Sequence, residues 1–331
     1  MPPTVSILMS CYNRADLVGQ SIESALAQDY PDFEFIIIDD GSSDSSWQVI
    51  QHYMVQDSRV KGFHHSHRGT AHFADIYNDA LAHAKGKYIA VLDSDDTWPV
   101  DKLRKQVHAH ESLGCALSFG YLRYLRDGKL SDKIYPDPAS SNLSESDRET
   151  LLLGLLKGDY FVSPVTSMMT RQTLLDAGGF QQVDYLPAWD YPTYVVLANT
   201  PEGSAFIPEV LGHWRQHSAA QLTWKDAANL AEGSYRFACE FSRQHSLGPA
   251  STPQALLSDR RCNWLAGANY RAAVLAYDTG KYRQTWRHCQ RIFELRKWKL
   301  FTKSLAMIAY KTMRKLQQNW QSPSELVSKP E

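Results

Sequence analysis

The sequence predicts an α/β fold: a mostly parallel sheet with helices on both faces, followed by a helical C-terminal region. Three observations carry this. Short apolar runs alternate with helical stripes through the first 95 residues. Three of those runs end in polar or acidic clusters. From about Asp226 onward the apolar spacing is helical almost throughout. A chain of 331 residues, 43% of them hydrophobic, holds one core of roughly 200–250 residues with a smaller attachment.

Val5–Met9 reads as the first strand and stops at Ser10–Arg14. Val18, Ile22, Ala25 and Leu26 then recur at helical spacing behind Asp16, whose charge suits the positive end of a helix. Phe33–Ile38 is almost wholly apolar, the mark of a strand covered on both faces. It stops at Asp39-Asp40-Gly41-Ser42-Ser43-Asp44, and Trp47, Ile50 and Met54 resume a helical stripe. A weaker strand at Val60–His64 leads to a helix through Phe73, Tyr77, Leu81 and Ala84. Tyr88–Leu92 is a further buried strand, ending at Asp93. This alternation is that of a parallel sheet, in which ligands bind beyond the carboxyl ends of the strands.

The middle is less regular. Ala116–Leu125 reads as a strand turning at Asp127-Gly128, and residues 131–147 as an exposed Ser/Asp/Pro-rich loop. Helical spacing returns at Leu151–Leu156, a strand is expected at Val165–Met169, and a short helix at Gln172–Ala177 ends in Gly178-Gly179. A helix over Tyr191–Ala198 carries Pro192 in its first turn, where proline is tolerated. Pro249 and Pro253 break the C-terminal helical pattern, and Ala272–Tyr282 resembles half of a helical-hairpin repeat.

Composition excludes several classes. A charged fraction of 21% and a net charge of -1 argue against a disordered chain and a wholly basic nucleic-acid binder. No apolar run reaches the ~18–20 residues a bilayer span needs. Met1–Ser10 lacks a basic leader and reads as a strand rather than a signal peptide. Five cysteines without Cys-x-x-Cys spacing point to reduced thiols in a cytosolic protein. Charge is uneven: residues 281–331 hold twelve Lys/Arg against three Asp/Glu, a balance of +9, which leaves -10 on the remainder.

Chemistry concentrates at the strand ends. Leu92-Asp93-Ser94-Asp95-Asp96 sets three carboxylates directly after a buried strand, hard oxygen ligands at a density that suits Mg²⁺ or Mn²⁺ with phosphate. Helix capping accounts for one such Asp or two, not three. Asp39–Asp44 taken alone is a capped strand-to-helix turn. In Ser10–Arg14, Tyr12 is placed to stack on a base, Asn13 to bond its edge and Arg14 to face phosphate. Together the three clusters favour a nucleotide site. Gly-x-Gly-x-x-Gly after the first strand, Gly-x-x-x-x-Gly-Lys-Ser/Thr and Gly-x-Ser-x-Gly are all absent, which disfavours dinucleotide, P-loop and α/β-hydrolase readings.

The ordered segments VSILMSCYNR, FIIIDDGSSD, HRGTAHFADIYNDALAHAKGKYIAVLDSDDTW, GGF at Gly178–Phe180, WDYPTYVVLA at Trp189–Ala198 and FIPEVLGHWRQH at Phe206–His217 resemble the inverting family-2 glycosyltransferases of the GT-A fold. The resemblance covers about residues 3–223, and it implies a GT-A domain over 1–223, with a nucleotide-binding half 1–98 and an acceptor half 99–223. A helical region, 224–331, follows with its basic tail.

The same resemblance implies residue roles. Tyr12, Asn13 and Arg14 hold the nucleotide-sugar donor; Asp39 contacts the base, with Asp40 beside it. Asp93 is the first Asp of a DxD motif, near the ribose, followed by Ser94; Asp95 is the second, a ligand of Mg²⁺ or Mn²⁺. Gly69, Ala74 and Asn78 fall on the segment beneath the donor, although Tyr77 stands where the family carries Arg. Asp190 is the implied general base, with Asp184 as the alternative; Trp189, Pro192 and Val196 depart from the family's pattern around it. A helix-capping role for Asp190 stays open. His213, Arg215 and His217 lie in the closing segment, Arg215 toward the diphosphate and His217 toward the metal.

The implied reaction is direct displacement at the anomeric carbon of a sugar, a UDP-sugar by the family's habit, by an acceptor hydroxyl that Asp190 deprotonates. The acceptor is a glycan or lipid-linked sugar of cell-surface polysaccharide synthesis. The alternative is a catalytically altered nucleotide-sugar-binding protein on the same fold. Residues 281–320 combine Arg283, Arg287, Arg291, Arg296, Lys297, Lys299, Lys303, Lys311, Arg314 and Lys315 with Trp286, Trp298, Phe301 and Trp320. Such helices either lie on an anionic membrane surface or form an ordinary bundle with solvated cations. Peripheral contact at the inner face of the plasma membrane would suit a lipid-linked acceptor, and no nucleic-acid partner is expected.

Overall fold

The computed structural model describes residues 2–138, 143, 147–217, 226–247 and 252–320, with side chains through 314. The expected boundary at 223–224, the break at Pro249 and the side chains of Lys315 and Trp320 lie outside the described residues. The order of elements is β1 (Val5–Cys11), α1 (Val18–Leu26), β2 (Phe33–Asp39), α2 (Ser46–Gln56), β3 (Val60–His64), α3 (Phe73–His83), β4 (Tyr88–Val91), α4 (Lys102–Leu113), β5 (Leu117–Arg126) and β6 (Lys129–Tyr135). Then come α5 (Arg148–Lys157), β7 (Met168–Thr170), α6 (Arg171–Asp176), α7 (Asp190–Ala198) and β8 (Ser204–Arg215). Among the described residues four α-helices follow: α8 (Ala227–Gln244), α9 (Asp259–Asp278), α10 (Tyr282–Glu294) and α11 (Trp298–Trp320).

One sheet organises the N-terminal part, with strands in the order β3-β2-β1-β4-β7-β5-β6 and β8 paired to β5. β3, β2, β1 and β4 are parallel, and β7 joins β4 antiparallel. Alternate side chains of the central strands serve opposite faces, as the pleat requires. Leu8, Ile36, Ile38, Ile89 and Val91 pack with residues of α3, α5 and α7; Ile7, Met9, Phe35, Ile37 and Ala90 pack with residues of α1, α2 and α4. Both faces are therefore covered, which is why β2 and β4 read as continuous apolar runs. β1 lies between β2 and β4, so the chain reverses its direction of travel across the sheet there and opens a crevice at their carboxyl ends.

Several expectations need correction. Residues 131–135 belong to strand β6 rather than to a loop. Asp127 (φ 48) and Gly128 (φ 74) form the two-residue turn with both φ positive that matches strand twist and makes a β-hairpin. Val165–Met169 is not a strand from its start: Pro164–Thr166 forms a single 3₁₀ turn, and β7 begins at Met168. α4 and β8 were not expected as elements. β8 runs parallel to β5, whose pairing supplies what its own mixed sequence does not signal.

The chain forms two compact units, one of Met1–Ala220 with Gly233–Leu256, the other of Gln221–Glu232 with Leu257–Glu331. In the second, Ser258 caps α9 by accepting from Arg261 N at 3.1 Å. α9 and α10 form a helical hairpin through residues 279–281, where Gly280 takes φ 74. Arg291 of α10 donates to both oxygens of Glu232 at 2.8 and 2.9 Å. All five cysteines are free.

Candidate active site

The carboxyl ends of β1, β2 and β4 bring the three polar clusters onto one rim. Cys11 pairs with Asp39 and Leu8 with Val91, so residues 12–14, 40–46 and 93–96 all follow from adjacent strand ends. The first two loops are joined by side-chain bonds. Asn13 takes φ 51, and its side-chain oxygen accepts from Ser43 N at 2.8 Å, while Asn13 N donates to Ser42 Oγ at 3.0 Å. Asp39 is fully buried, accepts from Ser42 N at 2.9 Å and lies 2.8 Å from His64 Nδ1. Asp40 accepts from Arg68 N at 3.0 Å and Gly69 N at 3.1 Å, fixing the turn where Gly69 has φ 77. Asn13, Asp39 and Asp40 thus brace the rim with their acceptor oxygens. Tyr12 is 39% exposed and stacks on His67 at 3.9 Å.

The segment after β4 is locked from the other side by β8. Arg215 donates through its N–H to Asp96 Oδ1 at 2.7 Å, through Nε to Asp95 O at 2.7 Å and through a terminal nitrogen to Gln20 Oε1 at 2.8 Å. His213 pairs in a bridge with Thr97. Two residues on, His217 Nε2 lies 3.1 Å from Asp95 Oδ2, and Arg14 Nε lies 3.3 Å from the same oxygen. Ser94 and Asp96 are buried, and Asp93 and Asp95 half-buried.

Carboxylates crowd this segment. Burial first, then the charge of Asp95, pushes Asp93 up to about 7. Asp96 rises well above the ordinary carboxylate range for the same reasons, burial leading. Such a cluster is relieved by a cation. Among the described residues no group of three or more His, Cys, Asp or Glu side chains is arranged to hold a metal. The donor set nonetheless fits a hard divalent ion: Asp95 and His217 bring one oxygen and one imidazole nitrogen to a point, and Mg²⁺-like ions fill their other positions with water and phosphate oxygens.

Asp190 opens α7 and sits close enough to raise Asp93 electrostatically. Its Oδ1 accepts from Tyr191 N at 2.8 Å, and burial pushes it up to about 6, while it keeps an opening to solvent. Asp184 is exposed.

Two of the residues that depart from the family's pattern, Tyr77 and Trp189, belong to the floor of the site. Tyr77, where an Arg was expected, is buried and donates through its hydroxyl to Asp93 Oδ1 at 3.1 Å. Trp189 is 5% exposed, with its ring 4.5 Å from Tyr77, 4.9 Å from Phe180 and 5.8 Å from Tyr194. Tyr194 is buried and donates to Ser167 Oγ at 2.9 Å. An aromatic floor of four rings therefore lies beneath Asp93 and Asp190. Asn78 binds it to the GGF turn, giving Nδ2 to Phe180 O at 3.0 Å and taking Phe180 N at 2.8 Å. Nothing in the sequence marks Tyr77 and Trp189 as site residues, because only their mutual packing does; the helical spacing of Tyr77 is the one local signal.

A family model described as Glycosyl transferase family 2 matches residues 6–176. Over 228 residues the chain is 30% identical to TuaG of Bacillus subtilis, a glycosyltransferase named for teichuronic acid biosynthesis; the match covers 68% of this chain and 84% of that one. WfaP of Escherichia coli, named as a UDP-Glc:alpha-D-GlcNAc-diphosphoundecaprenol beta-1,3-glucosyltransferase, is 42% identical over 108 residues, 33% of this chain and 41% of that one. Among solved structures, S. aureus TarS 1-349 in complex with UDP-GlcNAc superposes with TM-score 0.54 at 15% identity, covering 90% of this chain and 92% of that one. The mannosyltransferase PcManGT of Pyrobaculum calidifontis, in complex with GDP-Man and Mn²⁺, gives TM-score 0.56 at 17% identity over 95% and 88%. At such identities these two show a shared fold, the GT-A type.

Proposed function

The chain belongs to glycosyl transferase family 2, whose reaction inverts the anomeric centre, and from that premise we propose that it moves a sugar from a nucleotide-diphosphate donor to an acceptor hydroxyl. The donor is a UDP-sugar, and the acceptor a glycan or lipid-linked sugar of cell-surface polysaccharide synthesis. The names of TuaG and WfaP support this reading of substrate. The observation that carries the chemistry is Asp190, a carboxylate raised to about 6 by burial, beside Asp93 at the strand-end rim.

Asp190 takes the proton of the acceptor hydroxyl as its oxygen attacks the anomeric carbon, and the nucleoside diphosphate leaves from the opposite face. A base with a pKa near 6 is mostly ionised at neutral pH yet still basic enough to accept that proton. Tyr12 offers its exposed ring to the base of the nucleotide, and Asp93 and Ser94 line the ribose side. Asp95 and His217 would hold Mg²⁺ or Mn²⁺. When bound, that ion supplies a Lewis acid for the charge that develops on the leaving diphosphate. Arg14, bonded to the Asp95 carboxylate, keeps it oriented, Arg215 holds the Asp95 backbone carbonyl, and both add positive charge near the phosphates. Gly69 and Asn78 shape the wall under the donor through their bonds to Asp40 and Phe180.

The test is calorimetric titration with UDP, GDP and dTDP, in Mn²⁺ and in EDTA. Metal-dependent binding of one nucleotide, lost in Asp95→Ala, is expected. A folded protein that binds none of the three overturns the donor site.

We place the protein at the inner face of the plasma membrane through its C-terminal helices. Among the described residues no helix is long and apolar enough to cross a membrane. Tyr282, Trp286 and Phe293 share one exposed face of α10, with Arg283 and Arg287 flanking it. This is the pattern of a helix lying in an anionic interface.

A further inference from the structure

At the junction between α10 and α11 an open surface cavity of about 480 Å³ lies exposed to solvent. Residues 296–300 form one wall, and Asn263 and Ala266 of α9 the other. Arg296 holds a left-handed conformation (φ 56), which turns the chain sharply between the two helices. Arg296 and Lys297 in the turn, with Trp298 and Lys299 at the start of α11, therefore line one side of the opening together. Lys297 is paired with the fully exposed Asp259 at 3.3 Å. Arg296 and Lys299 have no ion-pair partner among the described residues. Of the aromatics among the described residues only Trp298 (55% exposed) lines the cavity, and behind Trp298 the ring of Phe293 packs edge-on at 4.8 Å, with Phe301 5.2 Å from Phe293. The lining thus combines cations with an apolar rim.

We propose that this cavity binds the phosphate headgroup of an anionic lipid, with the Phe293–Trp298–Phe301 cluster seated among the acyl chains at the interface. The inference rests on the membrane contact proposed above, and adds a defined site to it. Unpaired cations beside a pocket call for a multiply accepting anion, and Arg binds phosphate through paired N–H groups. Exposed Trp298 in the lining, with exposed Phe293 against it, has no use for a free, fully hydrated phosphate, whereas a headgroup with its acyl chains presents both chemistries at once. The size suits it: ligand cavities run to roughly 300–1,000 Å³. The positive balance of the tail supplies the long-range attraction to an anionic surface.

Co-sedimentation of the full chain with vesicles tests this, comparing pure phosphatidylcholine with an equal mixture of phosphatidylcholine and phosphatidylglycerol. The wild type is expected to bind the mixed vesicles and not the neutral ones. Arg296→Glu with Lys299→Glu should weaken that binding roughly tenfold or more. Arg283→Glu with Arg287→Glu makes the same charge change outside the cavity and should weaken it less. Asn263→Trp, which fills the cavity without altering charge, should weaken it too, at an unchanged unfolding temperature. Equal losses from the two charge pairs, or no loss from Asn263→Trp, remove the cavity while leaving the membrane contact standing. Absence of wild-type binding to mixed vesicles overturns both, and nucleotide titration of the same sample reports separately on the donor site. Full displacement by millimolar inorganic phosphate, or preference for a single-stranded oligonucleotide over vesicles, assigns the cavity to another ligand and refutes the proposal.

Discussion

Replacing Asp190 by Asn removes the carboxylate proposed to accept the acceptor's proton while keeping its size and its place at the start of α7. The group sits at about 6 because burial disfavours its charge. At pH 7 it is then about nine-tenths ionised, and at pH 5 about one-tenth. Since the base works only when deprotonated, kcat should fall about tenfold between pH 7 and pH 5. Donor and metal are kept saturating, so that changes in donor binding drop out. Asp190→Asn should lose about 10²–10⁴-fold in kcat, the usual weight of a positioned base, and its residual rate should be flat across this range. The assay is release of UDP from the UDP-sugar in the presence of acceptor, followed from pH 5 to 8. Two results refute the reasoning: an Asp190→Asn rate within a few-fold of wild type, or an acid limb near 6 that survives the substitution. Either would hand the proton to another group, and a matched loss in Asp184→Asn would identify it.

Trp189→Ala empties a position 5% exposed among three other aromatic rings, so it should cost about 3–5 kcal/mol of stability, read by denaturant unfolding. A loss below about 1 kcal/mol would mean that the floor is not packed as described. Tyr77→Phe deletes the hydroxyl that Asp93 accepts at 3.1 Å, and nucleotide affinity should drop roughly fivefold to tenfold by calorimetry while the unfolding midpoint moves little. Unchanged affinity would show that Tyr77 orients nothing the donor touches. Gly179→Ala places a methyl at φ 83 that collides with Asn78 Oδ1, the acceptor for Phe180 N. About 1–3 kcal/mol should be lost, and a neutral result in thermal unfolding would count against the Asn78 clamp.

Much of the fold was legible because its signals are local. β2 and β4 are continuous apolar runs, since both faces of the sheet are covered, and the helices between them carry one-sided stripes. Asp93–Asp96 stood out because three carboxylates after a buried strand have few structural uses. β6 and β8 were not legible for the opposite reason. β6 is largely exposed, and β8 mixes Pro208, Glu209 and His213 into its strand, so neither shows the apolar pattern that marks a strand. Each is defined by hydrogen bonds to β5, a partner that is silent in its own sequence.

The candidate site divides the same way. The sequence by itself determined which residue types stand at the strand ends, because strand termination and carboxylate clustering are properties of contiguous residues. It also determined the uneven charge, with its basic tail. Only the tertiary structure decided what those residues meet. Asn13 turns its acceptor oxygen to a loop 30 residues away in sequence, and Asp39 meets His64 from 25 residues away. Asp95 finds His217 from 122 residues away, and Tyr77 and Trp189, which read as lost family residues, meet to form the floor. Burial then raises Asp93 and Asp190, since the desolvation that shifts a carboxylate comes from everything packed around it.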